Sequence, residues 1–255
     1  MNLTTEHLQT VLVRPPDSIY QASGPIQNGS FQGHWHFSFD QYYERDYSHF
    51  GTLRVFNDDT LSPGATWPLH QHRNIEVVTY CAGGVFRHAD ESGRGGILRK
   101  GWVQHTTVGR GMSQSEINDR PDAPMRFIQM WFLPSETDLE PAIKQKPVTQ
   151  AERTNLLLPL VGGDEADALP IASDACVFAS FLETGHRLAH RLPAGHGAYI
   201  YVVEGGPVRL DGDSLPALAA AKIIGGRSEI DITADDDAEI LLVEVPLAVS
   251  NRAGI

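Results

Sequence analysis

The segment WPLHQHRNIEVVTY (residues 67–80) sets His70 and His72 two residues apart at the head of an apolar, β-branched run. Side chains at i and i+2 of a strand point to one face, so both imidazoles can enter the same interior. Imidazole nitrogen suits iron, zinc, copper and nickel, and one carboxylate completes a two-histidine, one-carboxylate triad with open positions. Glu76 shares the parity of both histidines if the strand runs on unbroken. The competing reading is two solvated histidines at a strand start. A second donor segment is GWVQHTTVGRGMSQSEIN (101–118), where a strand, a GRG turn and another strand put Gln114 and Glu116 on one face.

The elements that must position these residues are short and punctuated. The chain holds 24 glycines and 16 prolines. Between them lie GTLRVF (51–56), IEVVTYC (75–81), MRFIQMWFL (125–133), CVFASFL (176–182), GAYIYVVEG (197–205) and EILLVEVPL (239–247). Runs of this length between turn residues predict an all-β sandwich or barrel. Helical periodicity is weak. DLEPAIKQK (138–146) has room for a turn or two of helix, and LPALAAAKI (215–223) reads as a short helix or as strand and loop. The polar stretch EPAIKQKPVTQAERTN (140–155) reads as a connector, dividing the chain into units 1–145 and 146–255. VVTYCAGGVFRHAD and IYVVEGGPVRLDGD share a run–glycine–run pattern, compatible with a duplicated barrel.

Bulk properties exclude several classes. A net charge of −12 opposes a nucleic-acid surface. No apolar run reaches the roughly 20 residues of a membrane span, and MNLTTEHLQTVLV lacks a basic-then-apolar leader pattern. Cys81 and Cys176 sit in apolar runs and read as reduced core residues. The expectation is a cytoplasmic protein with no nucleic-acid or membrane partner. Neither a phosphate-cradling loop nor a GxSxG elbow is present in the sequence.

Gly64, five residues, His70-x-His72, three residues, Glu76, six residues and Gly83 follow the spacing of the first cupin motif. The string from His72 to Glu116, HRNIEVVTYCAGGVFRHADESGRGGILRKGWVQHTTVGRGMSQSE, resembles the hallmark block of the pirin family. So do HFSFDQYY (36–43), LRVFNDDTLSPG (53–64) and MWFLP (130–134); ADDDAEILLVEVP (234–246) is similar to the end of bacterial pirin-like proteins, the group that includes pirin-like quercetin 2,3-dioxygenases. The resemblance implies a bicupin, two packed jelly-roll-like β-barrels with few short helices. It implies one mononuclear metal, iron first, with nickel, manganese, copper, cobalt and zinc as alternatives, in the N-terminal barrel. The C-terminal barrel is expected to lack ligands. Carried over, the ligands fall on His70, His72, position 114 and Glu116.

Position 114 is glutamine where the family has histidine. Three readings follow. His70, His72 and Glu116 hold the metal, with Gln114 a weak ligand or a hydrogen-bond donor behind them; or another residue substitutes, Glu76 foremost, then His88 or His105; or the site holds no metal. The remaining polar residues read as structural: His88 and Asp90 at a hairpin turn, His34 and His36 at a barrel mouth, Arg110 in a turn, and His186, His190 and His196 on the surface without a paired acid. Met112, Phe37 and Trp67 read as core or as an apolar pocket mouth.

The resemblance implies a dioxygenase that chelates a flavonol-like or enediol small molecule and inserts both atoms of dioxygen, with Glu116 or, second, Glu76 taking the substrate proton. The alternatives are a non-catalytic regulatory protein with protein partners, and another cupin chemistry such as isomerisation.

Overall fold

The computed structural model describes residues 10–163, 166–225 and 229–248. In the first half the strands are β1 (Thr10–Arg14), β2 (Tyr20–Ile26), β3 (Gly29–Trp35), β4 (Leu53–Leu61), β5 (Thr66–His72), β6 (Glu76–Gly83), β7 (Val85–Asp90), β8 (Gly95–Arg99), β9 (Val103–Thr107), β10 (Met112–Ile117), β11 (Met125–Phe132) and β12 (Ala142–Lys146). The second half holds β13 (Leu158–Val161), β14 (Cys176–Leu182), β15 (Arg187–Arg191), β16 (His196–Gly205), β17 (Val208–Leu210), β18 (Asp213–Leu215), β19 (Ala220–Ile224), β20 (Glu229–Ala234) and β21 (Ala238–Pro246). The helical elements among the described residues are three-residue 3-10 turns, such as Ala151–Arg153.

These strands form four antiparallel sheets in four layers. The first half pairs a four-stranded sheet, β5-β10-β7-β8, with a seven-stranded one, β12-β9-β6-β11-β4-β3-β2. The second half pairs a six-stranded sheet, β1-β19-β16-β21-β14-β13, with a four-stranded one, β15-β20-β17-β18. The all-β bicupin architecture expected from the sequence is what the chain adopts, each unit a jelly-roll-like sandwich with open edges.

Strand alternation separates three interiors. On β6, Val78 and Tyr80 face the second half, meeting Val177, Tyr199, Tyr201 and Leu241 in the largest apolar cluster of the described residues. The alternate residues Val77 and Cys81 face the first lumen, with Met112, Phe86 and Phe127. The second lumen is filled by Ile200, Val202, Leu242, Leu210 and Ile232. Each such buried side chain contributes about 1.5–3 kcal/mol, so the contact between the halves is a core in its own right.

One segment differs from its sequence reading, and another takes the second of its two alternatives. Residues 142–146 are a strand where a turn or two of helix is expected, and 220–224 are the strand of the strand-and-loop alternative, because β9 and β16 offer them edges to pair with. The 140–155 connector therefore contains β12, the last strand of the seven-stranded sheet. β1 crosses to the second half, pairing with β19 from Thr10↔Ile224 to Arg14↔Ala220. Buried Arg14 then donates to the carbonyl of His36 and to Tyr42 Oη, tying that strand back to the first half.

Candidate metal centre

β5 and β10 are antiparallel neighbours with His72 opposite Met112 and His70 opposite Gln114. A bulge between Gln114 and Glu116 sets Glu116 opposite Trp67. The turn that delivers β10 depends on Gly109, at φ +53°, where a Cβ would lie 1.9 Å from the carbonyl oxygen of Leu139. The four residues singled out in the sequence, His70, His72, Gln114 and Glu116, thus share one face of one sheet, turned into the first lumen.

Their polar atoms are set by neighbours. His70 Nδ1 lies 2.8 Å from the carbonyl of Pro68, an acceptor only, so Nδ1 carries a proton and Nε2 is the nitrogen turned to the site. That Nε2 is 4.0 Å from Glu116 Oε2. The His70 and His72 rings meet edge to face at 4.7 Å, and His72 meets Trp131 at 4.6 Å. Burial, followed by the neighbouring His70, lowers the His72 pKa to about 4, which keeps the ring neutral. Its Nε2 is buried without a hydrogen-bond partner. An orphaned buried nitrogen costs about 1–3 kcal/mol, which a metal bond would remove.

Glu116 is 2 % exposed. Its Oε1 accepts from Gln129 Nε2 at 3.0 Å and from Gln114 Nε2 at 3.4 Å. Gln129 Oε1 accepts in turn from Trp131 Nε1 at 2.8 Å. Gln114 Oε1 accepts from His88 Nε2 at 3.0 Å. Oε1 is therefore held from two sides, and Oε2 is left facing His70. Two imidazoles and one anchored carboxylate are a donor set whose chemistry fits a divalent transition ion. It is an open set: as the side chains stand, no group of three or more His, Cys, Asp or Glu among the described residues is drawn together closely enough to hold a metal ion.

Glu76 lies elsewhere. Asn74 is in the left-handed region at φ +51°, its N–H donating to Gly109 O, so the chain turns between β5 and β6. β6 joins the other sheet, and Glu76 faces away from the lumen. It accepts from His105 Nε2 at 2.7 Å, Thr107 Oγ1 at 3.0 Å and the backbone N–H of Ala172 at 3.3 Å. This corrects Glu76 as a substitute ligand or base, and removes His105 with it. The regular strand on which that expectation depended does not exist.

Other placements sharpen the sequence reading. His88 is on the lumen face, buried, with Nδ1 unpartnered. Asp90 accepts from the Ser92 and Arg94 amides and closes the β7–β8 turn. His36 is buried between the halves, Nδ1 2.7 Å from Tyr199 Oη, not at a mouth. Arg110 pairs with Glu140. His190 and His196 do have an acid: both bind Glu244, at 3.0 and 3.1 Å. Phe37 is core, Trp67 packs on Phe31, and Met112 lines a cleft of about 290 Å³ with Arg94, Ile143 and Gln145.

Sequence reading missed Gln129, Trp131 and Asp59. Asp59 is buried in the same lumen with Oδ1 3.1 Å from Trp35 Nε1, in space that a Cβ on Gly33 would fill. Burial raises its pKa to about 8; Trp35 opposes the rise, and the charges of Asp58 and Glu116 add to it. For Gln129 the signal available was an amide between apolar Ile128 and Met130; Asp59 stood in the polar run Asn57–Thr60, which gave none.

The pirin family profile matches residues 20–132, and the quercetinase C-terminal cupin domain matches residues 160–245. A pirin-like protein of Caulobacter vibrioides is 34% identical over 223 residues, covering 87% of this chain and 95% of that one. A quercetin 2,3-dioxygenase of Escherichia coli K12 is 29% identical over 214 residues, covering 83% and 90%. The solved bacterial pirin of Escherichia coli in complex with nickel(II) superposes with a TM-score of 0.85 at 26% identity, covering 94% of this chain and all of that one. Matched in both halves and along nearly its whole length, this chain belongs to the pirin family and has its two-domain cupin fold.

Proposed function

We propose that this protein is a metal-dependent dioxygenase of the quercetinase type, acting on a flavonol-like or enediol small molecule. The observation that carries the proposal is the orphaned Nε2 of His72 beside His70 and an anchored Glu116. His70, His72 and Glu116 would hold one divalent ion, iron(II) first, with nickel, manganese, copper, cobalt or zinc as alternatives. Gln114 stands behind them as a donor to Glu116, since His88 already uses its amide oxygen.

A bound ion supplies Lewis acidity toward adjacent substrate oxygens and redox access to dioxygen. The chain's own residues do the rest. Glu116 Oε2 is the acceptor for a substrate hydroxyl proton, with Oε1 pinned by two amides so that Oε2 keeps its aim. Trp131 packs on His72 and shields that side from water.

The second reading is a weakly metallated regulatory or binding protein. It is favoured by the open donor set and by Gln114 in place of an imidazole. Oxygen uptake with a flavonol, by protein loaded anaerobically with each ion in turn, separates the two. Uptake that vanishes in His70→Ala supports the dioxygenase. Failure of every ion to bind stoichiometrically ends it.

A cytoplasmic location accords with buried Cys81, whose thiol burial pushes up to about 11, and with the absence of a disulfide among the described residues. No helix among those residues is long and apolar enough to cross a membrane.

A further inference from the structure

A continuous row of aromatic rings leads from the candidate metal centre to the surface. The His72 ring meets Trp131 at 4.6 Å, and Trp131 meets Phe39 edge to face at 5.3 Å. Phe39 meets Trp35 at 5.1 Å, and Trp35 meets Tyr20 at 5.9 Å. Tyr20 stacks on Tyr42 at 4.5 Å, with the two planes 9° apart. Trp35 is buried, whereas Tyr42 is half-buried and sits in the loop between β3 and β4.

Aromatic packing accounts for the contacts of such a row, but not for where its proton acceptors stand. Trp131 Nε1 donates at 2.8 Å to the amide oxygen of Gln129, which is no base. Trp35 Nε1 donates at 3.1 Å to Asp59, a carboxyl that burial keeps protonated at neutral pH. An indole that loses an electron at either place keeps its proton, so it stays a cation that can draw an electron from farther out. Tyr42 is different. Its Oη donates at 2.5 Å to Oε2 of Glu44, an exposed carboxylate, and accepts from Arg14 Nη2 at 3.0 Å. A phenol so placed can give up its electron and its proton together, and is then easier to oxidise than an indole that must keep its proton. The row therefore runs downhill for an oxidising equivalent, from the lumen outward.

We infer that this row carries oxidising equivalents from Trp131, beside the candidate metal centre, to Tyr42, and so spares the lumen residues from oxidation. The inference rests on the proposed dioxygen chemistry for the source of the oxidant. A one-electron oxidant formed from dioxygen or peroxide in the lumen takes an electron from Trp131. Trp35 replaces that electron past Phe39, and Tyr42 replaces the one lost by Trp35 through the stacked ring of Tyr20. The Tyr42 phenol proton passes to Glu44, leaving a neutral phenoxyl radical at the surface. A soluble one-electron reductant of the ascorbate class, giving one electron and one proton, restores the phenol.

The first test uses the metal-free full chain carrying Trp67→Phe and Trp102→Phe, which leaves Trp35 and Trp131 as its two tryptophans. Azide radicals from pulse radiolysis oxidise tryptophan, and transient absorption follows the indolyl radical as it becomes phenoxyl. The conversion should be independent of protein concentration, be lost on adding Tyr42→Phe and be slowed by Glu44→Gln. Tyr43→Phe, at a neighbouring tyrosine that is 78 % exposed and outside the row, should leave it unchanged. A conversion that keeps its full rate in Tyr42→Phe, or that vanishes in Tyr43→Phe, overturns the inference. A second test needs no tryptophan replacement. Iron(II)-loaded protein is treated with hydrogen peroxide, and oxidised peptides are mapped by mass spectrometry. Tyr42→Phe should move the damage inward to Trp131 and His72, and a map that does not change overturns the inference. Radiolysis requires no metal, so the two readings fail separately. A chain that passes it but takes up no iron keeps the relay and loses the dioxygenase. A chain that oxidises a flavonol but fails it keeps the dioxygenase and loses the relay.

Discussion

Gln129 Nε2 donates to Glu116 Oε1 at 3.0 Å across the lumen, from β11 of one sheet to β10 of the other. The carboxylate facing His70 is thus aimed by the sheet opposite its own. Gln129→Leu removes that donor and leaves Trp131 Nε1 without its acceptor. Metal affinity should fall about 10–100-fold, the usual effect of losing a group that orients a ligand. Competition against a chromogenic chelator measures it, and unchanged affinity would mean that Gln129 does not position Glu116.

Gln114→His should add a nitrogen ligand to an open set. Cobalt(II) affinity is expected to rise by about tenfold or more, and the visible spectrum should report one more ligand than in the wild type. Identical spectra and affinities would show that position 114 lies outside the coordination sphere in both proteins.

Glu76 is a structural carboxylate in this fold. Glu76→Ala strips three donors, among them His105 at 2.7 Å and the Ala172 amide from the second half. Urea unfolding should show a loss of about 2–4 kcal/mol, as for a broken buried polar pair. Metal stoichiometry should not change. A variant of wild-type stability that no longer binds metal would return Glu76 to the site.

Asp59 makes stability depend on pH with a defined sign. Its folded pKa, about 8, is above the ordinary 3.8, so the folded state holds the proton more tightly than the unfolded state. That contribution is complete below about pH 4 and is lost as pH rises through 8. Asp59→Asn keeps an acceptor for Trp35 and never ionises. The variant should gain on the wild type as pH rises from 5 to 9, by about 1–3 kcal/mol at the top. A gap between urea midpoints that stays constant with pH contradicts this.

Much of the site could be read locally. His70-x-His72 and Gln114-x-Glu116 declared a shared face because strand parity is a two-residue rule. The GRG turn was legible because a left-handed turn needs glycine. Parity failed at Glu76, where a left-handed Asn74 ends the strand four residues early. His190 and His196 looked unpaired because Glu244 is about fifty residues away in sequence, on the strand beside His196 and on the sheet other than that of His190.

The sequence by itself determined the all-β class, the main apolar strands and the pair of donor segments, since each depends on residues within a few positions of one another. Tertiary structure alone decided what stands across the lumen. Gln129 and Trp131 reach Glu116 and His72 only because two sheets stack face to face, and no local pattern in the chain encodes which residue meets which across that gap.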